Sequence, residues 1–248
     1  KPGVRFSDTV TVENIAQLEF GAVAEQYTAE RCGQVYNQRL TLGWRAQAAS
    51  LVLNDVLKRF NVDTRKVVVA GHSEGAPVAA KAALLNRRVT HVGCLSGPAL
   101  TQFYDFVLQN RKEALTGAIS LEQAQHNIDT LLRTYRAIMQ HPDNDTSFWL
   151  GHAYKRWASF TEPMVDNLLK LNIPIFVVAG THDAATAAEN SDILPIRFAE
   201  QGKTNLTYRT CLGCDHTYNQ VQDWKLGAPP PSRMDEVFGW LFHWLNQP

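Results

Sequence analysis

The 248-residue chain predicts an α/β fold, a doubly wound and mostly parallel sheet interrupted by a helical cap insertion. Three observations predict it. Short apolar or β-branched runs alternate with amphipathic segments, the pattern of parallel βαβ units. Each run has the length of a strand and stops at a glycine-containing turn, at Gly71, Gly97, Gly180 and Gly213. Between the second and third runs lies Leu100 to Leu171, whose apolar spacing is helical and contains no convincing strand.

The elements follow in order. Trp44 to Phe60 carries Leu51, Leu53, Val56, Leu57 and Phe60 near helical spacing and reads as an amphipathic helix. The polar Asp63 to Lys66 leads into Val67-Val-Val-Ala70, a β-branched run suited to a buried parallel strand. Ala76 to Leu85 is rich in Ala and Leu and favours a helix, with Pro77 tolerated in its first turn. His91 to Leu95, Ile173 to Ala179 and Leu206 to Cys211 read as further strands. Within the long stretch, Phe103 to Leu115, Leu121 to Met139 and Trp157 to Leu171 read as helices. Arg233 to Leu245 places Val237, Trp240, Leu241 and Trp244 on one face, so a terminal helix is expected to pack on the sheet. The domain reading is a core of residues 1–99 and 172–248 with a cap or lid at 100–171.

Composition narrows the class. Lys plus Arg and Asp plus Glu number 24 each and are spread along the chain. No basic patch for nucleic acid or an anionic membrane is indicated. No apolar run approaches the ~18 residues of a membrane span. The chain opens without Met, a charged n-region or an apolar h-region, so it reads as mature or cut at its front. Cys32, Cys94, Cys211 and Cys214 are too few for a disulfide scaffold. Cys211 and Cys214 form a C-x-x-C that neither opens a helix, as a redox pair should, nor has a second ligand pair for zinc. A local disulfide and two packed thiols both remain open for it. With the absent N-terminus, the cysteines lean towards a periplasmic or secreted location. The acceptor patterns at Asn144 and Asn205 are too short to decide anything.

Chemistry concentrates at three strand ends. Gly71-His-Ser-Glu-Gly75 matches G-x-S-x-G directly after one strand and directly before an Ala-rich helix. That pattern holds a serine in a strained turn above the sheet, and both glycines are expected to make room for neighbouring backbone. A serine hydroxyl needs a base to take its proton and an acid to orient that base. Ile175 to Gly180 runs into Thr181-His-Asp183, which puts Asp183 past a strand end. Leu206 to Cys211 leads to Cys214-Asp-His216, which puts His216 past the next. Parallel strands bring all three residues to one rim of the sheet, where ligand crevices form. Asp192 and Asp215 are rivals to Asp183, although Asp215 adjoins His216 and would struggle to reach its ring. His72 and His182 read as packing or hydrogen-bonding residues.

Gly71-His-Ser-Glu-Gly75, Gly180-Thr-His-Asp183 and Cys214-Asp-His-Thr217 are similar, in motif and order, to the nucleophile, acid and histidine motifs of the α/β-hydrolase superfamily. More narrowly, the chain resembles bacterial esterases or peptidase-like hydrolases with a helical cap. The resemblance runs from about Trp44 to the C-terminus. It implies that Ser73 attacks a carbonyl, His216 serves as base then acid, Asp183 fixes His216, and the Glu74 backbone N–H lines the oxyanion hole. Lys1-Pro-Gly-Val-Arg-Phe-Ser-Asp8 loosely resembles the family's P-G-x-G-x-S loop, with Arg5 in place of the second glycine. The strands that normally precede that loop, and the second oxyanion donor, have no counterpart here. The expectation is therefore that this chain is the C-terminal part of a larger protein, with a separate N-terminal segment as partner.

The function implied is hydrolysis of a small-molecule ester or related acyl bond through an acyl-enzyme, with a rate that rises as His216 loses its proton. A peptidase acting on short peptides, and a non-catalytic binding protein on the same fold, remain alternatives. No metal-spaced cluster appears and no cofactor is called for. Lys155, Arg156 and Trp157, inside the insertion, are candidates to bind a substrate carboxylate or an aromatic group, or else to join cap and body. The Glu74 side chain is a candidate contact for substrate, a cap residue or solvent.

Overall fold

The computed structural model describes residues 39–221 and 230–247. The first element, α1 (Leu42–Arg59), starts where Thr41 Oγ1 accepts from the Trp44 N–H at 3.2 Å. Such a cap satisfies one of the amides that a helix leaves free at its start. Next come β1 (Val68–His72), α2 (Gly75–Leu85) and β2 (His91–Leu95). The insertion holds α3 (Gln102–Leu115), α4 (Leu121–Gln140), the two-residue strands β3 (Phe148–Trp149) and β4 (His152–Ala153), α5 (Tyr154–Ser159) and α6 (Met164–Leu168). The chain returns through β5 (Ile175–Gly180), α7 (Ala188–Ser191), α8 (Ile193–Glu200), β6 (Leu206–Cys211) and α9 (Met234–Leu245).

The main sheet has the order β1-β2-β5-β6, and every pairing is parallel. Register aligns Gly71 with Cys94, Val92 with Ile175, and Gly180 with Cys211. All six residues of β5 are buried. Its side chains alternate between faces, as pleating requires. Ile175 and Val177 join Ala76 and Ala80 of α2, Leu168 of α6 and Phe198 of α8 on one side. Phe176 and Val178 meet Val237, Leu241 and Trp244 of α9 on the other. Helices on both faces make the sheet doubly wound, which is why its central strands are apolar without interruption. Beyond β1 no further strand is paired among the described residues, and Ala70 is exposed there.

The four strands and the helices at 42–59, 75–85, 102–115, 121–140 and 234–245 lie where the sequence placed them, within a few residues. The structure departs from the sequence reading in several places. The single helix expected over Trp157 to Leu171 is two, α5 and α6, because Pro163 precedes α6 and keeps the residue before it out of the helical region. The insertion is not wholly helical, because β3 and β4 pair around Leu150 (φ 44°) and Gly151 (φ 72°). Two consecutive left-handed residues build a tight hairpin turn. Helices α7 and α8 occupy a stretch for which spacing set no expectation. The insertion also has an aromatic core of its own, in which Phe103 stacks on Trp149 at 5.2 Å and Trp157 lies edge-on to Phe103. Met164, Val165 and Leu168 instead belong to the main core beside α2. No helix among the described residues is long and apolar enough to cross a membrane. The opening Pro-Gly segment and Cys32 lie outside the described residues.

Candidate active site

At the end of β1 the chain turns abruptly into α2. Ser73 sits at φ 56°, a left-handed conformation that costs a side-chain-bearing residue about 1 kcal/mol or more. Two bonds hold it there: the Ser73 N–H donates to Leu95 O at 2.9 Å, and the Ala76 N–H donates to Ser73 O at 3.0 Å. The turn folds back so closely that a Cβ on Gly71 would lie 2.0 Å from Gly75 O. The second glycine of the motif corrects the expectation. A Cβ on Gly75 would meet nothing within 4 Å among the described residues.

Asp183 follows β5 and is 2% exposed. Its Oδ1 accepts from the N–H groups of Ala185 and Thr186, both at 2.8 Å, and its Oδ2 faces His216 Nδ1 at 2.8 Å. An ionised carboxylate only accepts, so this contact assigns the Nδ1 proton to His216 and leaves Nε2 as its basic nitrogen. The loop carrying His216 is pressed against the end of β5. A Cβ on Gly180 would sit 2.6 Å from Cys214 O and 2.7 Å from Asp215 O, and the His182 N–H donates to Cys214 O at 2.9 Å. The same loop is closed by a disulfide between Cys211 and Cys214, whose Cα atoms are 5.4 Å apart, both residues being buried. Of the two readings open for the C-x-x-C, the local disulfide is the one formed.

The rivals are engaged elsewhere. Asp192 accepts from the Tyr208 hydroxyl at 2.7 Å, and Asp215 accepts from the N–H groups of Thr217 and Asn219 within its own turn. His182 is exposed beside Thr181. His72 has a definite place: its Nε2–H donates to the His216 carbonyl at 2.8 Å, and the two rings are 4.8 Å apart. The neighbour of Ser73 thereby ties the serine turn to the histidine loop. Among the described residues no cluster of His, Cys, Asp and Glu is disposed to hold a metal.

The insertion reaches the serine turn from the other side. The Glu74 carboxylate pairs with both Arg45 of α1 and Arg156 of α5. Arg156 is 1% exposed, lies over the rings of Trp157 (4.2 Å) and Phe160 (4.6 Å), and donates to Gln102 Oε1 at 2.8 Å. The Trp157 ring N–H donates to Trp149 O at 2.7 Å, and the Lys155 N–H donates to Asn144 O at 2.8 Å. Arg156 thus joins insertion to body through Glu74, whereas Trp157 and Lys155 make their contacts within the insertion. Stranding a buried guanidinium costs more than removing it. Glu74→Ala is therefore expected to lose about 3 kcal/mol of stability, and Arg156→Met clearly less, in urea denaturation. Equal losses would show that Glu74 is not what balances Arg156.

Two site contributors carry no sequence signal that would have found them. Arg45 looks like any basic helix residue, and Asp105 like any acidic residue in a helix's first turn. In the structure Asp105 is 4% exposed and bonded to the loop that carries Asp183.

No family model matches the chain, and no curated protein matches it. Solved structures do. A monoacylglycerol lipase from Paleococcus ferrophilus superposes with a TM-score of 0.50 at 16% identity, over 84% of this chain and 76% of the lipase. Dipeptidyl peptidase 4 from Porphyromonas gingivalis superposes with a TM-score of 0.50 at 11% identity, over 87% of this chain but 24% of the peptidase. Such identities speak for architecture alone. Taken with the parallel sheet, the flanking helices and the strained serine turn, they identify the architecture as the α/β-hydrolase fold.

Proposed function

We propose that the chain is a serine hydrolase that cleaves a carboxylic ester, or a related acyl bond, of a small molecule through an acyl-enzyme. The observation that carries this reading is the 2.8 Å bond from His216 Nδ1 to a buried Asp183, past the ends of β6 and β5, with the left-handed Ser73 past the end of β1 in the same parallel sheet. Ser73 Oγ attacks the carbonyl while His216 Nε2 takes its proton and later returns it to the leaving group. Water, activated by the same nitrogen, then hydrolyses the acyl-enzyme. The Glu74 N–H is one oxyanion donor, and a single donor of this kind is worth roughly a hundredfold or more in rate. The helical part of residues 100–171 serves as a cap, consistent with Arg156 and Asp105 reaching the site from it.

The test is reaction with a fluorophosphonate probe, followed by intact mass and peptide mapping. A single adduct on Ser73, forming faster as pH rises through the His216 titration, is expected. A folded sample that takes no label at Ser73 would overturn the reading. Comparing short-chain nitrophenyl esters with aminoacyl anilides then separates esterase from peptidase activity.

A further inference from the structure

Asp105 is a buried carboxyl group, 4% exposed. It lies in the first turn of α3, in the insertion, yet its bonds are to the body. Its Oδ1 accepts from the Ala187 N–H at 3.1 Å and from Asn190 Nδ2 at 2.8 Å. Asn190 completes a bracket between the two parts. Its Oδ1 accepts from the Leu100 N–H at 2.9 Å, and its Nδ2 also reaches Thr101 O at 3.2 Å. The consecutive amides of residues 185–187 are thus divided between two carboxylates. Ala185 and Thr186 donate to Asp183, and Ala187 donates to Asp105. Asp105 Oδ2 is buried with no protein partner among the described residues.

Through the consecutive 185–187 amides Asp105 neighbours Asp183, from the loop after β5, whose Oδ2 faces His216 Nδ1, from the loop after β6, at 2.8 Å, and both charges bear on Asp105. A surface ion pair, Lys112 with Glu189, joins α3 to α7 further along. From this geometry we propose that Asp105 is a positioning residue for the Asp183–His216 pair, holding the Asp183 loop to the insertion and supplying a second negative charge that His216 senses. The proposal rests on the serine-hydrolase reading for its catalytic meaning, but the coupling to His216 does not.

The physical basis is simple. Burial pushes the Asp105 carboxyl up to about 7, against the opposing effect of its bonds to Asn190 and Ala187, so its charge appears near neutral pH. Once ionised, it favours the imidazolium of His216, while the neighbouring Asp183 opposes its ionisation. Two groups coupled in this way titrate as a pair. Replacing Asp105 by Asn keeps an oxygen for Ala187 and Asn190 but removes the charge. Replacing it by Ala removes both.

The experiment is an NMR pH titration of the His216 ring in ¹⁵N-histidine-labelled protein, for wild type, Asp105→Asn and Asp105→Ala. Fluorophosphonate labelling of Ser73 is followed on the same samples. A broadened, two-step His216 titration is expected in the wild type. In Asp105→Asn it should become a single step with a midpoint lower by about half a pH unit or more. The rise of labelling with pH should move by the same amount. Asp105→Ala should label about tenfold or more slowly at every pH, because the brace is gone as well. A His216 midpoint in Asp105→Asn that coincides with the wild type overturns the proposal. Absence of label in the wild type overturns the hydrolase reading instead, and leaves the NMR result to judge Asp105.

Discussion

Ser73→Ala is expected to reduce kcat/KM on an activated short-chain ester by about a millionfold while leaving the fold intact. Removing a nucleophile that acts as a unit with its base costs about as much as removing the whole set, and only binding and oxyanion stabilisation remain. Stability should barely move, because the alanine inherits the same left-handed φ of 56° and the same two backbone bonds. Ser73→Gly gives the informative contrast. Glycine adopts positive φ without the Cβ penalty, so this variant should be equally inactive yet more stable by about 1 kcal/mol. Urea denaturation of the three proteins reads the strain, and initial rates read the chemistry. A Ser73→Ala protein that keeps more than about a hundredth of the activity would remove Ser73 as the nucleophile.

Asp183→Asn should lower kcat/KM by about ten-thousandfold, through the proton on His216 rather than through lost structure. The Asp183 carboxylate has one oxygen committed to two backbone donors and the other to His216 Nδ1. An asparagine satisfies the Ala185 and Thr186 amides only by pointing its oxygen at them. Its NH2 group then faces Nδ1, which must accept and lose its proton. The proton moves to Nε2, the nitrogen required as base, and the ring can no longer deprotonate Ser73. Because the backbone bonds survive, the variant should melt close to the wild type. Retention of more than about a tenth of the activity would mean that the Asp183–His216 bond does not serve the reaction.

The local layer of this protein was legible. Val67 to Ala70, His91 to Leu95 and Ile175 to Ala179 are largely apolar runs, and Leu206 to Cys211 a β-prone one, all of strand length and ended by glycine turns. Run length, β-branched content and the flanking turn residues decide such segments wherever they are placed. Parallel pairing then followed from the helices between them, and with it the convergence of Ser73, Asp183 and His216 on one rim. Asp183 is preferred in the sequence for its place just past a strand and because Asp215 adjoins His216. The hydrogen bonds set Asp183 against the His216 ring, while Asp192 and Asp215 are bonded elsewhere.

What the sequence by itself determined is therefore the alternation of strands and helices, the serine turn and the order of Ser73, Asp183 and His216 along the chain. Each is written in neighbours a few positions apart. The tertiary structure alone decided which distant groups meet. Glu74 and Arg156 are separated by 82 positions, as are Asp105 and Ala187, and neither pair shares a local pattern. The need for glycine at 71 was by contrast legible from the local motif, since the obstructing Gly75 O lies four positions on. Propensity and period act over one or two turns of chain. Charge pairing, burial and close approach depend on how the insertion and the sheet are packed against each other, and they exist only once that packing has formed.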